Sequence, residues 1–125
     1  MSIAAPDRTH VMVVEDDGPI LRALSTRLKY EGFDVHSARD GSAALTSLRV
    51  FRPDVAVLDI NMPGIDGIRL AREIRLQVPT CRLLFLTASR DAALREEAAQ
   101  LGVHAFMEKP YGARELVENI RCSGF

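Results

Sequence analysis

Four polar residues stand where apolar runs stop: Asp16 beyond His10-Val11-Met12-Val13-Val14, Asp59 after Val55-Ala56-Val57-Leu58, Thr87 after Arg82-Leu83-Leu84-Phe85-Leu86, and Lys109 after His104-Ala105-Phe106-Met107-Glu108. Asp16 lies inside an acidic triplet, Glu15-Asp16-Asp17. An ionised carboxylate taken out of water without a partner is so costly that a protein pairs it, gives it a metal ion or leaves it at the mouth of a cleft. Singly, each of the four has an ordinary explanation, because an aspartate after a strand forms a turn or caps the next helix. Together they are harder to explain that way. Two carboxylates, a hydroxyl and an ammonium at one edge form a site in which the lysine and a bound cation offset the repulsion between the acids. The choice of lysine adds to this: fourteen of the sixteen basic residues are arginine, so Lys109 answers a demand for a compact point charge with three donors.

The elements that must gather these residues follow from the spacing of apolar positions. The run over 10–14 reads as a strand. Gly18-Pro19 then places proline in a first helical turn, with Ile20, Leu21, Leu24 and Leu28 on one face until Gly32 ends the helix. Residues 33–38 alternate as a second strand. Asp40-Gly41 opens a helix carrying Ala44, Leu45, Leu48 and Phe51, which Pro53 forbids from continuing. The unbroken, β-branched run over 55–58 suits a strand buried on both faces of a parallel sheet. Asn61-Met62-Pro63-Gly64 stops it, since Pro63 keeps Met62 out of the helical region. A helix from about Asp66 to Gln77 shows Ile68, Ala71, Ile74 and Val78 at helical spacing. A strand over 82–86 follows, then a helix capped by Asp91, with Leu94, Ala98 and Leu101 inward and Gly102 at its end. A short strand over 104–108 and a last helix from about Gly112 to Arg121, turning Ala113, Leu116, Val117 and Ile120 inward, complete five βα units. Such alternation predicts an α/β fold of parallel strands joined by right-handed crossovers, with the sheet between two helical layers. In such folds ligands bind at the carboxyl ends of the strands, the edge that all four polar residues face.

Length and composition narrow the function classes. The 125 residues suit a single domain spanning 1–125, with residues 1–8 as a flexible tail. A hydrophobic fraction of 47%, 26% charged residues and a net charge of −1 give no global attraction to nucleic acid or an anionic membrane. No run approaches the roughly 18 apolar residues of a membrane span, and no signal peptide is visible, so a cytoplasmic location is expected. Cys81 and Cys122 form no metal-binding or disulfide pattern and read as buried structural thiols. His10, His36 and His104 fall in separate segments and read as ordinary surface or loop histidines.

VVEDD at 13–17, VLDINMPG at 57–64, LTA at 86–88 and EKPY at 108–111 resemble the four motif blocks of response-regulator receiver domains of two-component signalling. The resemblance runs from about His10 to Arg121. It implies a flavodoxin-like, doubly wound (βα)5 sandwich of three layers with strand order 2-1-3-4-5. It implies that Asp59 accepts a phosphoryl group from a histidine kinase or histidine phosphotransfer protein. Asp16 and Asp59 would bind Mg²⁺ (or Mn²⁺), Glu15 would assist through water in preference to Asp17, and Asn61 would offer its backbone carbonyl. Thr87 and Lys109 would each take a phosphoryl oxygen. Phosphoryl transfer needs positioning and charge neutralisation more than covalent help, which suits these residue types. A cis Lys109-Pro110 bond would aim the lysine. Thr87 and Phe106 would act as a switch, the ring moving inward and changing the face formed by helix 91–101, strand 105–108 and helix 112–121 for a partner or for self-pairing.

Rival functions fit less well. A phosphatase of the haloacid-dehalogenase type wants a second aspartate two residues after the nucleophile, where this chain has Asn61. A flavin- or nucleotide-binding module wants a Gly-rich or Ser/Thr-rich phosphate loop after the first strand, where Glu15-Asp16-Asp17 would repel a phosphate. An inactive docking receiver would not need a complete acceptor site. The chain is expected to catalyse only its own phosphorylation and dephosphorylation. It is expected to engage a downstream protein target or output domain, and to touch neither nucleic acid nor membrane directly. Few residues follow the last helix, so a single-domain regulator is expected ahead of an excised receiver.

Overall fold

Five parallel strands form one sheet in the order β2-β1-β3-β4-β5, in a computed structural model that describes residues 8–60, 66–87, 92–103, 105–108 and 112–122. The elements alternate strictly: β1 (His10–Val14), α1 (Gly18–Tyr30), β2 (Asp34–Ala38), α2 (Gly41–Ser47), β3 (Val55–Asp59), α3 (Gly67–Gln77), β4 (Arg82–Thr87), α4 (Ala92–Gln100), β5 (Ala105–Glu108) and α5 (Ala113–Cys122). The expected order and layering are therefore present. Val11, Val13, Val55, Val57, Leu84 and Leu86 point to the α1 and α5 side, where Leu21, Leu24, Leu28, Leu116, Val117 and Ile120 meet them. Met12, Val14, Ala56, Leu58, Leu83 and Phe85 point the other way, against Ala44 and Leu48 of α2 and its end, Ile68, Ala71 and Ile74 of α3, and Ala98 of α4. The strands alternate between the two cores because successive side chains leave a strand on opposite faces. Since both faces are covered, the central strands are apolar throughout.

Aspartate caps begin three helices. Asp17, Asp40 and Asp66 accept hydrogen bonds from the backbone N–H groups of Ile20, Ala43 and Arg69 at 3.0, 2.7 and 2.8 Å. Each satisfies a donor that has no partner within its own helix. At the far end of α1, Gly32 adopts a φ of 98°, its N–H donates to the Lys29 carbonyl, and the Phe33 N–H donates to the Leu28 carbonyl. This closing turn claims Phe33, so β2 begins at Asp34 rather than at 33.

Two local expectations need correction. Ile20 does not share the buried face of α1; it is 38% exposed, and Ser25 takes a place beside Leu21, Leu24 and Leu28 instead. Helix α2 stops at Ser47, well short of Phe51, because the N–H groups of Leu48, Arg49 and Val50 donate to carbonyls three residues back and tighten the last turn. Phe51 is thereby placed between two histidine rings, 5.4 Å from His10 and 5.1 Å from His36. Both histidines lie in the strands expected of them, brought together across β1 and β2. Cys81 is buried as expected. His104, Asp91 and residues 1–7 lie outside the described residues, as does the side chain of Cys122. Among the described residues no helix is long and apolar enough to cross a membrane.

Candidate functional site

Glu15 follows β1 directly and is held as if β1 continued, its N–H donating to the Ala38 carbonyl of β2 at 3.1 Å. Its carboxylate is buried, and it accepts the N–H of Asp17 at 3.2 Å. Asp17 spends its own carboxylate on capping α1, which leaves Glu15 and Asp16 to face β3. Asp59 is the last residue of β3 and is also buried, whereas Asp16 is exposed. The structure brings these three acids together: one carboxylate oxygen from each of Glu15, Asp16 and Asp59 lies within 4.8 Å of the others. Three negative charges that close repel strongly unless a cation or a proton intervenes. Two buried acids and one exposed acid form a half-open cup of oxygen ligands, the donor type that hard divalent cations prefer.

Thr87 ends β4 and is buried, with Leu86 paired in register to Asp59 and Thr87 paired to Glu108. Its hydroxyl therefore belongs to the same sheet edge as the acidic cup. Asn61 and Lys109, which the sequence assigns to this edge, lie outside the described residues, together with Ala88 and the Lys109-Pro110 bond. Phe106 is half-buried on β5, its ring centroid 5.9 Å from that of Phe85.

Sequence reading missed one residue that shapes the site. Gly67, the first residue of α3, donates its N–H to the Ile60 carbonyl at 3.0 Å and packs against the end of β3. A Cβ at this position would stand 2.4 Å from the Asp59 carbonyl oxygen and 2.6 Å from the Ile60 Cα. Only glycine permits that approach, so Gly67 lets the start of α3 lie directly against the end of β3. The available signal was a glycine at the start of a helix, directly after the capping aspartate, where no turn was needed.

A five-stranded parallel sheet in this order, with an acidic cup where β1 and β3 end and a hydroxyl at the end of β4, defines the doubly wound class that binds ligands at its carboxyl edge. Within that class, the chain belongs to the response regulator receiver domain family, which matches residues 11–121. It is thus the receiver of a response regulator in two-component signalling. The chain is 41% identical over 118 residues to the transcriptional regulatory protein CseB of Streptomyces coelicolor, covering 93% of this chain and 49% of that protein. It spans about half the length of the curated relatives it matches. Among solved structures, a CheY-like response regulator receiver domain protein from Methanospirillum hungatei shares the fold with a TM-score of 0.90 at 23% identity, covering 94% of both chains. A DNA-binding response regulator of the LuxR family from Staphylococcus aureus aligns with a TM-score of 0.86 at 27% identity, covering 94% of this chain and 99% of the other. None of these findings favours the phosphatase alternative.

Proposed function

We propose that Asp59 is the phosphoryl acceptor of a two-component relay. The observation that carries this reading is the cluster of Glu15, Asp16 and Asp59 carboxylates at the sheet edge, with Thr87 ending the adjacent strand. In the transfer, a carboxylate oxygen of Asp59 forms a bond to phosphorus while the phosphorus–nitrogen bond of a phosphohistidine breaks. The imidazole of the histidine kinase or histidine phosphotransfer protein is the leaving group, and an acyl phosphate remains on Asp59. A carboxylate is already deprotonated, so no base is needed to activate it. Asp16 and Asp59 would hold Mg²⁺ (or Mn²⁺), with Glu15 assisting through water and the Asn61 carbonyl as a further ligand. Bound there, the metal supplies charge neutralisation for the incoming phosphoryl oxygens. Thr87 donates its hydroxyl to one phosphoryl oxygen and Lys109 its ammonium to another, while Gly67 keeps the backbone of Asp59 in place.

The remaining assignments belong to the same reading. The 125 residues act as one receiver domain in the cytoplasm, catalysing only their own phosphorylation and dephosphorylation. The state of Asp59 is read out through the α4-β5-α5 face, by a downstream protein, an output domain or a second copy. The curated relatives are described as transcriptional regulators and are about twice as long, so contact with nucleic acid is assigned to an output module rather than to this domain.

A small phosphodonor with Mg²⁺ tests the reading. Intact mass should rise by one phosphoryl group, Asp59→Asn should abolish the gain, and excess chelator should suppress it. Full modification in chelator, or equal modification of the Asn variant, would refute it.

A further inference from the structure

Helix α4 has little hold on the core. Of its side chains only Ala98 is fully buried, with Leu94 partly buried beside it. What fixes the helix laterally is polar. On one side Arg72 of α3 reaches Glu97 at 3.2 Å, and Arg75 of α3 donates to the Leu101 carbonyl just beyond α4 at 3.0 Å. On the other side Arg95 pairs with Glu108 of β5 and lays its guanidinium carbon 4.8 Å from the centroid of Phe106. Phe106 is paired in register with Phe85, and Glu108 with Thr87. Residues two apart on a strand share a face, so Phe85, Thr87, Phe106 and Glu108 all project toward α4. Arg95 therefore grips both β5 residues on that face, one of them the register neighbour of Thr87.

We propose that Arg95 is a positioning residue that holds Phe106 half-exposed beneath α4 while Asp59 is unmodified, and that phosphorylation releases this hold. The guanidinium needs the face of the ring for its stack and the carboxylate of Glu108 for its ion pair. An inward turn of Phe106 removes the first. The second is a poor anchor by itself, because Arg95 and Glu108 are 37% and 53% exposed and water screens the pair. Loss of the stack thus frees Arg95 and loosens the side of α4 that faces β5, exposing an arginine and a glutamate to an incoming surface. The trigger rests on the assignment of Asp59 as acceptor; the hold on Phe106 in the unmodified protein does not.

Arg95→Ala, Arg95→Lys and Glu108→Gln in the full chain separate the contributions. Lysine keeps the charge but lacks the planar group that stacks, whereas Glu108→Gln keeps the stack. Side-chain NMR should show the χ1 population of Phe106 shifting inward in Arg95→Ala and in Arg95→Lys without any ligand, and shifting less in Glu108→Gln. The concentration of beryllofluoride, a phosphoryl mimic, needed for half-saturation in Mg²⁺ should fall by about two- to fivefold in Arg95→Ala, the factor that one exposed cation–π contact supplies. A wild-type Phe106 population together with unchanged half-saturation would overturn the proposal. So would amide protection lost along the whole of α4 with no change in the ring, which marks a merely structural role. If wild-type protein does not bind beryllofluoride, the acceptor assignment fails, and the ring populations of the ligand-free variants still decide the role of Arg95.

Discussion

The backbone of Asp59 has a neighbour on each side that fixes it: the β4 register through Leu86, and the bare Cα of Gly67. Gly67→Ala would force a methyl group into the Asp59 carbonyl, and such overpacking costs typically about 1–3 kcal/mol. We expect a matching loss in urea unfolding and, because the strain falls on the proposed acceptor itself, a lower phosphorylation rate than the stability loss explains. A variant that phosphorylates normally at temperatures where it is folded would show that the close approach is only structural. Cys81 gives a residue-scale test with a defined pH window. Burial pushes its thiol up to about 12 from 9.0, partly opposed by Arg75 and Arg82, while the sulfur makes a weak bond to the Arg82 carbonyl. The unfolded chain therefore loses its thiol proton near pH 9 while the folded chain keeps it, so stability falls as pH rises through that window, by about 1.4 kcal/mol per unit. Below pH 8 the thiol contributes no slope. Cys81→Ala should unfold with a flatter pH dependence between pH 9 and 10.5, and parallel slopes would refute the shift. Glu15, Asp16, Asp59 and Thr87 were legible because each interrupts or follows an apolar run. Gly67 was not, since a close contact between a helix start and a strand end leaves no periodic trace.

Helix starts were also legible, because an aspartate ahead of an amphipathic pattern is a chemical statement about unsatisfied N–H groups. Ends were less so. Gly32 announced the end of α1, but α2 stops at Ser47 although its apolar spacing runs on to Phe51: bonds to carbonyls three residues back tighten the last turn and leave Phe51 between His10 and His36. That contact joins residues from three elements and has no local signature. The caps can be used to separate fold from function at the scale of the element. Asp40→Ala and Asp66→Ala each remove one capping bond and should each cost about 1 kcal/mol of stability. Of these two helices α3 starts against the backbone of Asp59, so Asp66→Ala should also slow phosphorylation, with Asp40→Ala close to wild type. Equal rates in the two variants would mean that the start of α3 does not position the acceptor.

The order of the five strands could not be read from periodicity, because strict alternation fixes that strands are parallel but not which pair. It came from the motif resemblance, and the observed sheet carries it. What the whole molecule then imposes is a conflict between stability and the site. A domain of this size is held by a small net free energy, and it places three carboxylates within 4.8 Å of one another, two of them buried. At that separation the repulsion is on the order of 3 kcal/mol per pair at an effective dielectric of about 20, less for the exposed Asp16. In chelator, Asp16→Asn should therefore raise stability, by roughly 1 kcal/mol after that discount, because it removes charge from the cup without disturbing a cap or a core contact. With Asp16 as a ligand of the proposed metal site, adding Mg²⁺ should reverse the order. The wild type gains about 2.7 kcal/mol when the ion is at a hundredfold excess over its dissociation constant, while the Asn variant, short of a ligand, gains little. Urea midpoints of both proteins with chelator and with Mg²⁺ provide the four measurements. Equal Mg²⁺ gains would remove Asp16 from the metal site, and a variant already less stable in chelator would show that the three acids are not in conflict.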